Sequence, residues 1–521
     1  MAKFNSKAES TKVTNHMGAP AFVDNPEFAL VSLLLTSFVH DKYYESSSDE
    51  IKRLRGLLAQ VDPKFAAQAA VYARNEFGMR SVSHVTAAEV AKAASGKPWA
   101  RSFYNAVIRR PDDMLEIVSY HFANGNKRLS SAMQVGFRMA FDKFDAYQLA
   151  KYRGEKRKIK LIDVLRMVHP KGTQKNADAL KQLVEGTLRS TGTWEAKLTE
   201  AGKTASTDEE KIENKKEAWA DLLTTGKIGQ FALLRNLRNI IETAPDMIDR
   251  ACELLTSESR NHKSLILPFR FLTAYEEIEK VDKPGKFESQ RSIYKKVLDA
   301  LETAVNQSIA NLPDLPGQTV ILVDNSGSMT GDGGGSSAVS ANSKTSSAAI
   351  ANLFGAMYWM KSNDTIVGLF GDRLLYPELD RKAGLFENYK KLAETASKVG
   401  GGTETGIFTM FQRMVDEKMH VDRVVVFSDC QIGTGCAWYT TPGYGKGGAK
   451  RGDDFNKLFE QYRAINPYFN AYSVNIKAYG NTVFGPGVIK LAGWSEKIFD
   501  IMRLFEQDKN ALINTIKAIE F

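Results

Sequence analysis

The sequence has few cysteines and no long apolar run. Only Cys252, Cys430 and Cys436 occur among 521 residues, and their spacing suits neither a zinc site nor a disulfide framework. No stretch approaches the roughly 18 apolar residues that span a bilayer, and the N-terminal segment is polar where a secretory signal would be apolar. These absences predict a protein of a reducing compartment. We expect it in the cytoplasm, without a membrane partner.

Strand patterns are missing from the first three hundred residues. From about residue 25 to residue 305, apolar residues recur at three and four positions, as in residues 50–61, 64–77 and 150–168. Prolines at short intervals end one helical stretch and start the next. The pattern predicts an irregular stack of short helical hairpins, each of which buries its apolar face against its neighbours. Residues 191–216, rich in Lys, Glu and Thr, are expected to form a solvated loop or a charged helix.

The pattern changes at residues 311–317, where two prolines and a glycine end the helical run. Strands are predicted at residues 319–324, 365–370, 423–428 and 469–476, and helices between them at residues 343–360, 405–418 and 455–464. Nearly continuous apolar strands that alternate with amphipathic helices are typical of a parallel sheet covered on both faces. We therefore predict two domains, an α-helical repeat domain over 1–312 and a doubly wound α/β domain over 313–521.

Oxygen-bearing side chains follow the predicted strands of the second domain. Asp324, Ser326 and Ser328 come directly after its first strand, and a glycine-rich loop with Thr403 precedes a later helix. Asp429 ends the strand at 423–428, so all five residues are expected at the carboxyl edge of the sheet. Alone, Asp-x-Ser-x-Ser is a weak signal, because Asp and Ser are favoured in turns and as helix caps. The ordered combination indicates a site for Mg²⁺ or another hard divalent cation.

The excess positive charge lies entirely in the first domain. Residues 1–312 hold 48 Lys and Arg against 39 Asp and Glu, whereas residues 313–521 hold 22 of each. The segment 151–171 concentrates this excess, and we interpret 150–168 as one packed helix whose cations project from one side toward a phosphate backbone. A basic run is most often a solvated face; here His169 at its end adds a group able to hydrogen-bond or stack on a base. The predicted RNA-binding residues are Lys151, Lys156, Arg157, Lys158, Arg166, His169 and Lys171, with a weaker second group at Lys127 and Arg128.

Three other arginines stand on strongly apolar stretches. Arg235 and Arg238 lie in FALLRNLRNI, and Arg270 lies in LPFRFLTAY. We interpret them as structural residues that pair with acids between stacked helices. His84 and His121 are interpreted as core or surface histidines rather than as ligands.

Several segments together resemble a known family. Asp-x-Ser-x-Ser, the glycine-rich loop with Thr403, and Asp429 resemble the metal-ion-dependent adhesion site of von Willebrand factor A domains. The segments at 32–44, 151–171, 232–240 and 267–275, followed by such an A domain, resemble the Ro autoantigen family of TROVE proteins, including its bacterial members. The resemblance covers nearly the whole chain.

The resemblance implies a ring of HEAT-like helical repeats closed by the A domain. It further implies small Y-like RNA on an outer basic surface, single-stranded 3′ ends of misfolded RNA in a central hole, and a role in RNA quality control and degradation. Lys151, Lys156 or Arg157, and His169 fall where the family contacts RNA. It also implies an RNA-tethered 3′ to 5′ exoribonuclease as a partner, and an acidic group of another protein that completes the metal site.

We therefore predict an RNA-binding protein that is not an enzyme. The alternative is a metal-dependent protein-adhesion scaffold that binds no RNA. A metal-dependent nuclease is disfavoured, because two-metal phosphoryl chemistry needs clustered carboxylates and this site offers only Asp324 and Asp429.

Overall fold

The computed structural model describes residues 12–14, 20–37, 47–189, 194–264, 266–281, 291–310, 312–331, 337–338, 345–403, 406–433, 455–477, 479, 481–482, 484–485, 487–495, 497–506 and 510–521. None of the helices in these ranges combines the length and the apolar character that a bilayer crossing requires. The chain divides into two compact units. One comprises Pro63–Gln307 with Ile519–Phe521, and the other comprises Met1–Asp62 with Ser308–Ala518.

The first unit, called here the helical unit, is built from short helices. Several begin at a proline, including those at Pro63, Pro111 and Pro268, because proline lacks the N–H that the first helical turn leaves unsatisfied. Its helices are α3 (Pro63–Asn75), α4 (Ser81–Glu89), α5 (Ala100–Val107), α6 (Pro111–Ala123), α7 (Ser131–Phe141), α8 (Ala146–Lys151), α9 (Leu161–Val168), α10 (Ala177–Glu185), α11 (Trp194–Lys203), α12 (Asp208–Thr224), α13 (Gln230–Thr243), α14 (Ile248–Leu255), α15 (Glu258–Ser264), α16 (Pro268–Val281) and α17 (Arg291–Ala310). The described part of the charged stretch 191–216 forms α11 and the start of α12, which residues 204–207 connect.

A buried ionic cluster joins three of these helices. The carboxylate of Asp113 in α6 accepts hydrogen bonds from Arg74 of α3 at 2.9 Å and from Arg80 at 2.8 Å. His84 of α4 lies 3.1 Å from the same carboxylate. Burial alone would raise the pKa of Asp113, but the contact with His84 and the charges of both arginines hold it well below its usual range. His84 is therefore a core residue, as the sequence indicates.

The second unit, called here the sheet unit, contains a six-stranded sheet. The strands are β3 (Thr319–Asp324), β4 (Thr365–Phe370), β5 (Leu374–Leu375), β6 (Arg423–Ser428), β7 (Asn470–Asn475) and β9 (Ile489–Ala492), in the order β5-β4-β3-β6-β7-β9. All neighbours are parallel except β4 and β5. Every residue of β3 and β6 is buried, so both faces of the sheet are covered. The helices of this unit are α1 (Pro26–Thr36), α2 (Ser47–Leu58), α18 (Gly327–Thr330), α19 (Ser347–Lys361), α20 (Leu385–Ala396), α21 (Gly406–Asp416), α22 (Phe455–Ile465), α23 (Lys497–Phe505) and α24 (Ala511–Lys517).

The N-terminal residues pack with the sheet unit. Strands β1 (Lys12–Thr14) and β2 (Pro20–Val23) form a small antiparallel sheet with β8 (Asn481–Thr482), in which Val23 pairs with Asn481. Helix α1 packs against β9. The predicted boundary near residue 312 lies close to the change of unit at Ser308. The prediction placed the first 62 residues in the helical domain 1–312, whereas they belong to the sheet unit. The cause is this strand pairing across more than four hundred residues.

The predicted fold class, a helical array plus a doubly wound α/β domain, is confirmed. The strands predicted at 319–324, 365–370 and 423–428 match β3, β4 and β6. One helix prediction is wrong: residues 150–168 do not form a single helix, because α8 ends at Lys151 and α9 begins only at Leu161. Parts of the glycine- and serine-rich insert 331–347, namely 332–336 and 339–344, lie outside the described residues.

Candidate functional site

The five predicted metal ligands lie at one edge of the six-stranded sheet. Strand β3 ends at Asp324, and its parallel neighbour β6 ends at Ser428, one residue before Asp429. Because the carboxyl ends of parallel neighbours meet at the same edge, the two aspartates come close together. Both side chains are fully buried, which makes the site an enclosed feature of the sheet rather than a surface acidic cluster.

The turn after β3 folds its oxygen atoms around Asp324. The backbone N–H of Ser326 donates to Asp324 Oδ1 at 2.9 Å, and the hydroxyls of Ser326 and Ser328 lie 3.3 Å apart. Ser428 Oγ donates to Asp324 Oδ2 at 2.6 Å. Both carboxylate oxygens of Asp324 are therefore held in place by neighbouring donors.

Hydrogen bonds also connect the glycine-rich loop and the turn after β6 to this site. The N–H of Gly327 donates to the carbonyl of Gly401 at 2.7 Å, which ties the first turn to the loop that carries Thr403. Thr403 Oγ1 in turn accepts from the N–H of Gly433 at 2.8 Å. These bonds place Thr403 between the turn that follows β3 and the turn that follows β6.

The electrostatics of the site favour a bound cation. Burial first, and then the nearby charge of Asp429, raise the pKa of Asp324 to about 7. Asp324 has no Lys, Arg or His nitrogen within 4.0 Å among the described residues. Two buried carboxylates surrounded by hydroxyl oxygens are a donor set that suits a hard divalent ion. Where the chain is described, no group of three or more His, Cys, Asp and Glu could hold a metal, so any such ion would depend on the hydroxyls.

Sequence reasoning missed Ser428. It ends the apolar run RVVVFS, and its hydroxyl lies between Asp324 Oδ2 and the N–H of Cys430, which donates to it at 2.9 Å. The available signal was its position directly before Asp429 at the end of a buried strand.

The basic segment contains an ordered loop rather than a continuous helix. Residues 152–160, here called the basic loop, connect α8 to α9. Gly154 has φ +74°, and a Cβ at this position would stand 2.7 Å from Cδ1 of the buried Leu115 in α6. The loop is closed by hydrogen bonds from the N–H of Arg157 to the carbonyl of Gly154 at 2.8 Å, and from that of Leu161 to Arg153 at 2.9 Å. A left-handed glycine packed on α6 therefore interrupts the helical periodicity.

Most cations of this segment are exposed, and some have acidic partners. Lys151 lies 3.5 Å from Glu195, and Arg157 pairs with Glu116 of α6. Four of the predicted RNA-binding cations in the segment 151–171 have no carboxylate within 4.0 Å among the described residues. They are Lys156, Lys158, Arg166 and Lys171, all exposed.

His169 ends α9 in an unusual conformation. Its φ is +50°, in the left-handed region, and its backbone N–H donates to the carbonyl of Leu165 at 2.8 Å. A residue other than glycine adopts this conformation at a cost of about 1 kcal/mol or more. The exposed imidazole therefore leaves the helix at a direction fixed by the backbone.

The second basic group lies in another loop. Lys127 and Arg128 are exposed between α6 and α7, and the carbonyl of Arg128 lies 3.0 Å from Nε2 of the buried His121. His121 is thus a structural histidine that holds this turn.

The interpretation that arginines on apolar stretches pair with acids between stacked helices is wrong for two of the three, Arg235 and Arg238. Arg238 pairs with Glu242 one turn along α13, on the surface. Arg235 has no carboxylate within 4.0 Å among the described residues and lies beside the ring of Phe231, as does Arg270.

Comparisons with known proteins place most of the helical unit in one family. Residues 28–212 and 188–290 match the TROVE domain, and together these matches span just over half of the chain. Telomerase protein component 1 of Mus musculus is 24% identical over 369 residues, and that of Rattus norvegicus is 22% identical over 369 residues. Each match covers 52% of this chain but only 14% of the relative, so the chain corresponds to a small part of those proteins.

One solved structure is similar over most of the chain. The crystal structure of the Deinococcus radiodurans RO (RSR) protein aligns with a TM-score of 0.57 at 18% sequence identity. The alignment covers 93% of this chain and 100% of that chain. This similarity concerns the fold, and it includes the sheet unit as well as the helices.

Proposed function

Because the chain belongs to the family of TROVE-domain proteins and is Ro-like, we propose that it binds small structured RNA through the basic loop and the residues that flank it. The family is known as RNA-binding. The observation that carries the proposal is the exposure of three consecutive cations, Lys156, Arg157 and Lys158, on an ordered loop. Exposed cations of this kind contact phosphates and release counterions, so binding is expected to weaken steeply with salt.

Aromatic rings next to the loop supply a second kind of contact. The ammonium nitrogen of Lys151 lies 5.9 Å from the ring centroid of Tyr147 and 5.8 Å from that of Tyr152. Tyr147 is 38% exposed. An exposed ring beside a cation offers a stacking surface for an unpaired base, which is how proteins commonly read loops and ends of RNA.

The finer proposal concerns which RNA is bound. We propose a Y-like small noncoding RNA as the ligand of the basic surface, and single-stranded 3′ ends of misfolded RNA as a second class of ligand. With an exoribonuclease tethered through the RNA, the protein would act in RNA quality control and degradation. The support for this is the family membership together with the clustering of exposed cations at 156–158, 166 and 171. Sequencing of RNA that copurifies with the protein identifies the ligand.

The sheet edge is proposed as a Mg²⁺ site with a binding role. Asp324 and Asp429 would provide the charge, and the hydroxyls of Ser326, Ser328 and Thr403 would complete the protein side of the shell. When bound, the ion would offer an open coordination position to a carboxylate of a partner. The chain's own residues orient the oxygens, and the buried Cys430 beside Asp429 has its Sγ 3.5 Å from Ser473 Oγ, so we propose no catalytic step. Mg²⁺-dependent cleavage of bound RNA by the pure protein would contradict this.

The same sheet edge supports a second candidate function. A protein-adhesion scaffold would use the metal site to capture acidic peptides, and the buried pair Asp324 and Asp429 is the observation that favours it. The two functions separate by mutation. Asp324→Ala should abolish capture of an acidic partner and leave RNA binding intact, whereas reversing the charges of the basic loop should do the opposite.

The test of RNA binding is a salt titration with two double variants. The probe is a fluorescent RNA hairpin with a single-stranded 3′ tail. Lys156→Glu with Lys158→Glu should weaken binding, and should reduce the slope of log K against log[salt] by about 2, because each duplex phosphate contact contributes about 0.9. The matched control reverses the exposed Lys181 and Lys296, which pair with Glu185 and Asp249 elsewhere in the helical unit. A slope that is flat in the wild type, or equal in both double variants, contradicts the proposal.

A further inference from the structure

A lysine and an arginine share a cleft in the helical unit. The cleft has a volume of about 450 Å³ and is called here the Lys143 cleft. Its lining residues are Asn75, Glu76, Ala106, Ile108, Arg109 and Lys143. It shares no residue with the basic loop or with the metal candidates of the sheet edge, and the proposed function gives it no role.

Close packing of α7 on α5 brings Lys143 to the end of α5. A Cβ on Gly136 of α7 would stand 2.5 Å from the carbonyl oxygen of Arg101, so the two helices approach as closely as a glycine allows. The ammonium group of Lys143, two residues beyond α7, donates to the carbonyls of Asn105 and Ile108 at the C-terminal end of α5. Carbonyls at a helix end lack helical partners, so these two bonds fix the lysine nitrogen at one wall of the cleft.

The third position on the Lys143 nitrogen has no partner among the described residues. An ammonium group carries three hydrogens, and the two carbonyls take two of them. No carboxylate lies within 4.0 Å of this nitrogen where the chain is described. Loss of the third proton would keep both hydrogen bonds and leave a lone pair in its place. The residue is exposed, so a small reagent in the cleft can reach that lone pair.

The surroundings of Lys143 favour the neutral amine. Burial of its nitrogen is the largest cause; Asp113 opposes it, Arg109 and Arg74 act with it, and together they lower the pKa of Lys143 to about 8. At pH 7.5 about a quarter of such an amine is neutral, compared with about a thousandth of a lysine with the ordinary pKa. The other charged groups nearest to Lys143 are Glu76 and Lys175.

Arg109 supplies a binding group for an anion beside this amine. Its guanidinium donates to the carbonyl of Asn75 at 2.9 Å and has no carboxylate within 4.0 Å among the residues described, since Asp113 contacts the backbone N–H of Arg109 instead. A guanidinium has five N–H donors and binds phosphate through pairs of them. An acyl phosphate carries both groups that the cleft can receive, an electrophilic carbon for the amine and a phosphate for the guanidinium.

We propose that Lys143 is a site of acylation by small acyl phosphates, with Arg109 holding the phosphate group. The neutral amine attacks the acyl carbon, so that a C–N bond forms and the C–O bond to phosphate breaks. The electron pair of that bond leaves with the phosphate, which takes one proton from the nitrogen and departs as hydrogen phosphate. The product is an uncharged acyl-lysine with a single N–H, so one of the two carbonyls at the end of α5 loses its donor.

The first test compares lysines in the full chain. The protein is treated with acetyl phosphate at pH 7.5, and acetylation of each lysine is followed by peptide mass spectrometry. Lys143 should react at least about tenfold faster than Lys175, because a pKa near 8 raises the neutral fraction roughly 200-fold and the weaker nucleophilicity of a less basic amine offsets part of that gain. Lys175 is the matched control, since it is exposed and donates to the backbone carbonyl of Lys143 at 2.8 Å. Equal rates at the two lysines would overturn the proposal.

The pH dependence tests the activation of the amine. The rate at Lys143 should level off above about pH 8, whereas a lysine of ordinary pKa gains reactivity up to about pH 10. A rate at Lys143 that still rises tenfold per pH unit at pH 9.5 would show that its amine is not activated, and the proposal would be wrong.

A second reagent tests the role of Arg109. The N-hydroxysuccinimide ester of acetic acid delivers the same acetyl group without a phosphate. Arg109→Gln should lower the ratio of the acetyl phosphate rate to the ester rate at Lys143 by about tenfold, the effect of one hydrogen bond to a charged group. Both reagents need the neutral amine, so the ratio does not change with the pKa of Lys143. Arg110→Gln, which removes an arginine paired with Asp112, is the matched control and should leave the ratio within about twofold.

Protection by phosphate tests the same point without a variant. Inorganic phosphate should slow acetylation of Lys143 by acetyl phosphate and leave its reaction with the ester unchanged, and this holds whether or not Arg109→Gln folds. An unchanged ratio in a folded Arg109→Gln protein, or no protection by phosphate, would show that the cleft does not recognise the phosphate group and would overturn the proposal. No RNA is present in these experiments, so their failure leaves the proposed RNA binding untouched.

Discussion

Replacement of Asp324 by asparagine tests whether the buried carboxylate pair is a cation site. The pKa of Asp324 is raised from an ordinary 3.8 to about 7 in the folded protein without metal. The folded state therefore holds this proton more tightly than the unfolded chain does. The stabilisation that protonated Asp324 gives the folded state is fully present below about pH 4 and falls as pH rises to about 7. Above that pH the contribution of this group to the free energy of unfolding no longer changes.

The size of the effect follows from the shift. Each pKa unit corresponds to about 1.4 kcal/mol, so the metal-free protein should lose on the order of 4 kcal/mol between pH 4 and pH 7 through this group. A cation bound between the carboxylates would reverse the loss. At a Mg²⁺ concentration a hundred times its dissociation constant, the stabilisation is about 2.7 kcal/mol, or a rise of roughly 5–10 °C in the melting temperature of the sheet unit.

The assay is thermal melting at several pH values, with EDTA or with Mg²⁺. Wild-type protein should show the pH-dependent loss in EDTA and a Mg²⁺-dependent gain near pH 7.5. Asp324→Asn should show a smaller loss and no gain, because an amide neither titrates nor supplies the charge. Asp314→Asn is the matched control, since Asp314 is 90% exposed in the same unit and pairs with Lys361 at 3.2 Å. An equal Mg²⁺ shift in wild type and Asp324→Asn would refute the metal assignment.

Two further predictions concern the helical unit. Asp113→Asn should lower the free energy of unfolding by about 3–5 kcal/mol in denaturant melts, because it leaves the buried Arg74 guanidinium without its charge partner. The control Asp249→Asn, which removes an exposed pair with Lys296 in the same unit, should cost less than about 1 kcal/mol. Gly154→Ala should displace the basic loop from Leu115 and weaken hairpin binding, with a stability loss of about 1–3 kcal/mol; unchanged hairpin affinity would show that the loop conformation is irrelevant to binding.

The sequence predicts the sheet better than it predicts the basic segment. Strands β3, β4 and β6 are nearly continuous apolar runs, and burial on both faces of a parallel sheet leaves that signature directly in the chain. The basic segment has helical periodicity on both sides of its loop, so the pattern runs through the break. Within this segment Gly154 was the local signal that the helix breaks. A glycine is needed at this position because the backbone packs against Leu115 of α6, and that contact is tertiary and cannot be seen in the local sequence.

Partners that are distant in sequence explain the other differences. Nothing around Val23 predicts that its strand pairs with Asn481. In the same way, the sequence shows Arg235 and Arg270 on apolar helices but not that both face Phe231. The metal candidates were predictable because strand ends in a parallel sheet converge by topology, whereas side chains from packed helices meet according to packing alone.

The position of the basic cluster on a loop determines what kind of RNA recognition it supports. On a helix, three consecutive residues are separated by about 100° each, so Lys156, Arg157 and Lys158 would spread over about 200° of its circumference and would not face one phosphate run together. On the loop all three are exposed, and the loop is fixed by Gly154 and by Arg153, whose guanidinium donates to the carbonyl of Leu188. Lysines at this spacing act as point charges on phosphates and carry no base information. The hairpin affinity should therefore depend strongly on salt and weakly on stem sequence; a strong preference among stems of equal length would show that another surface reads the bases.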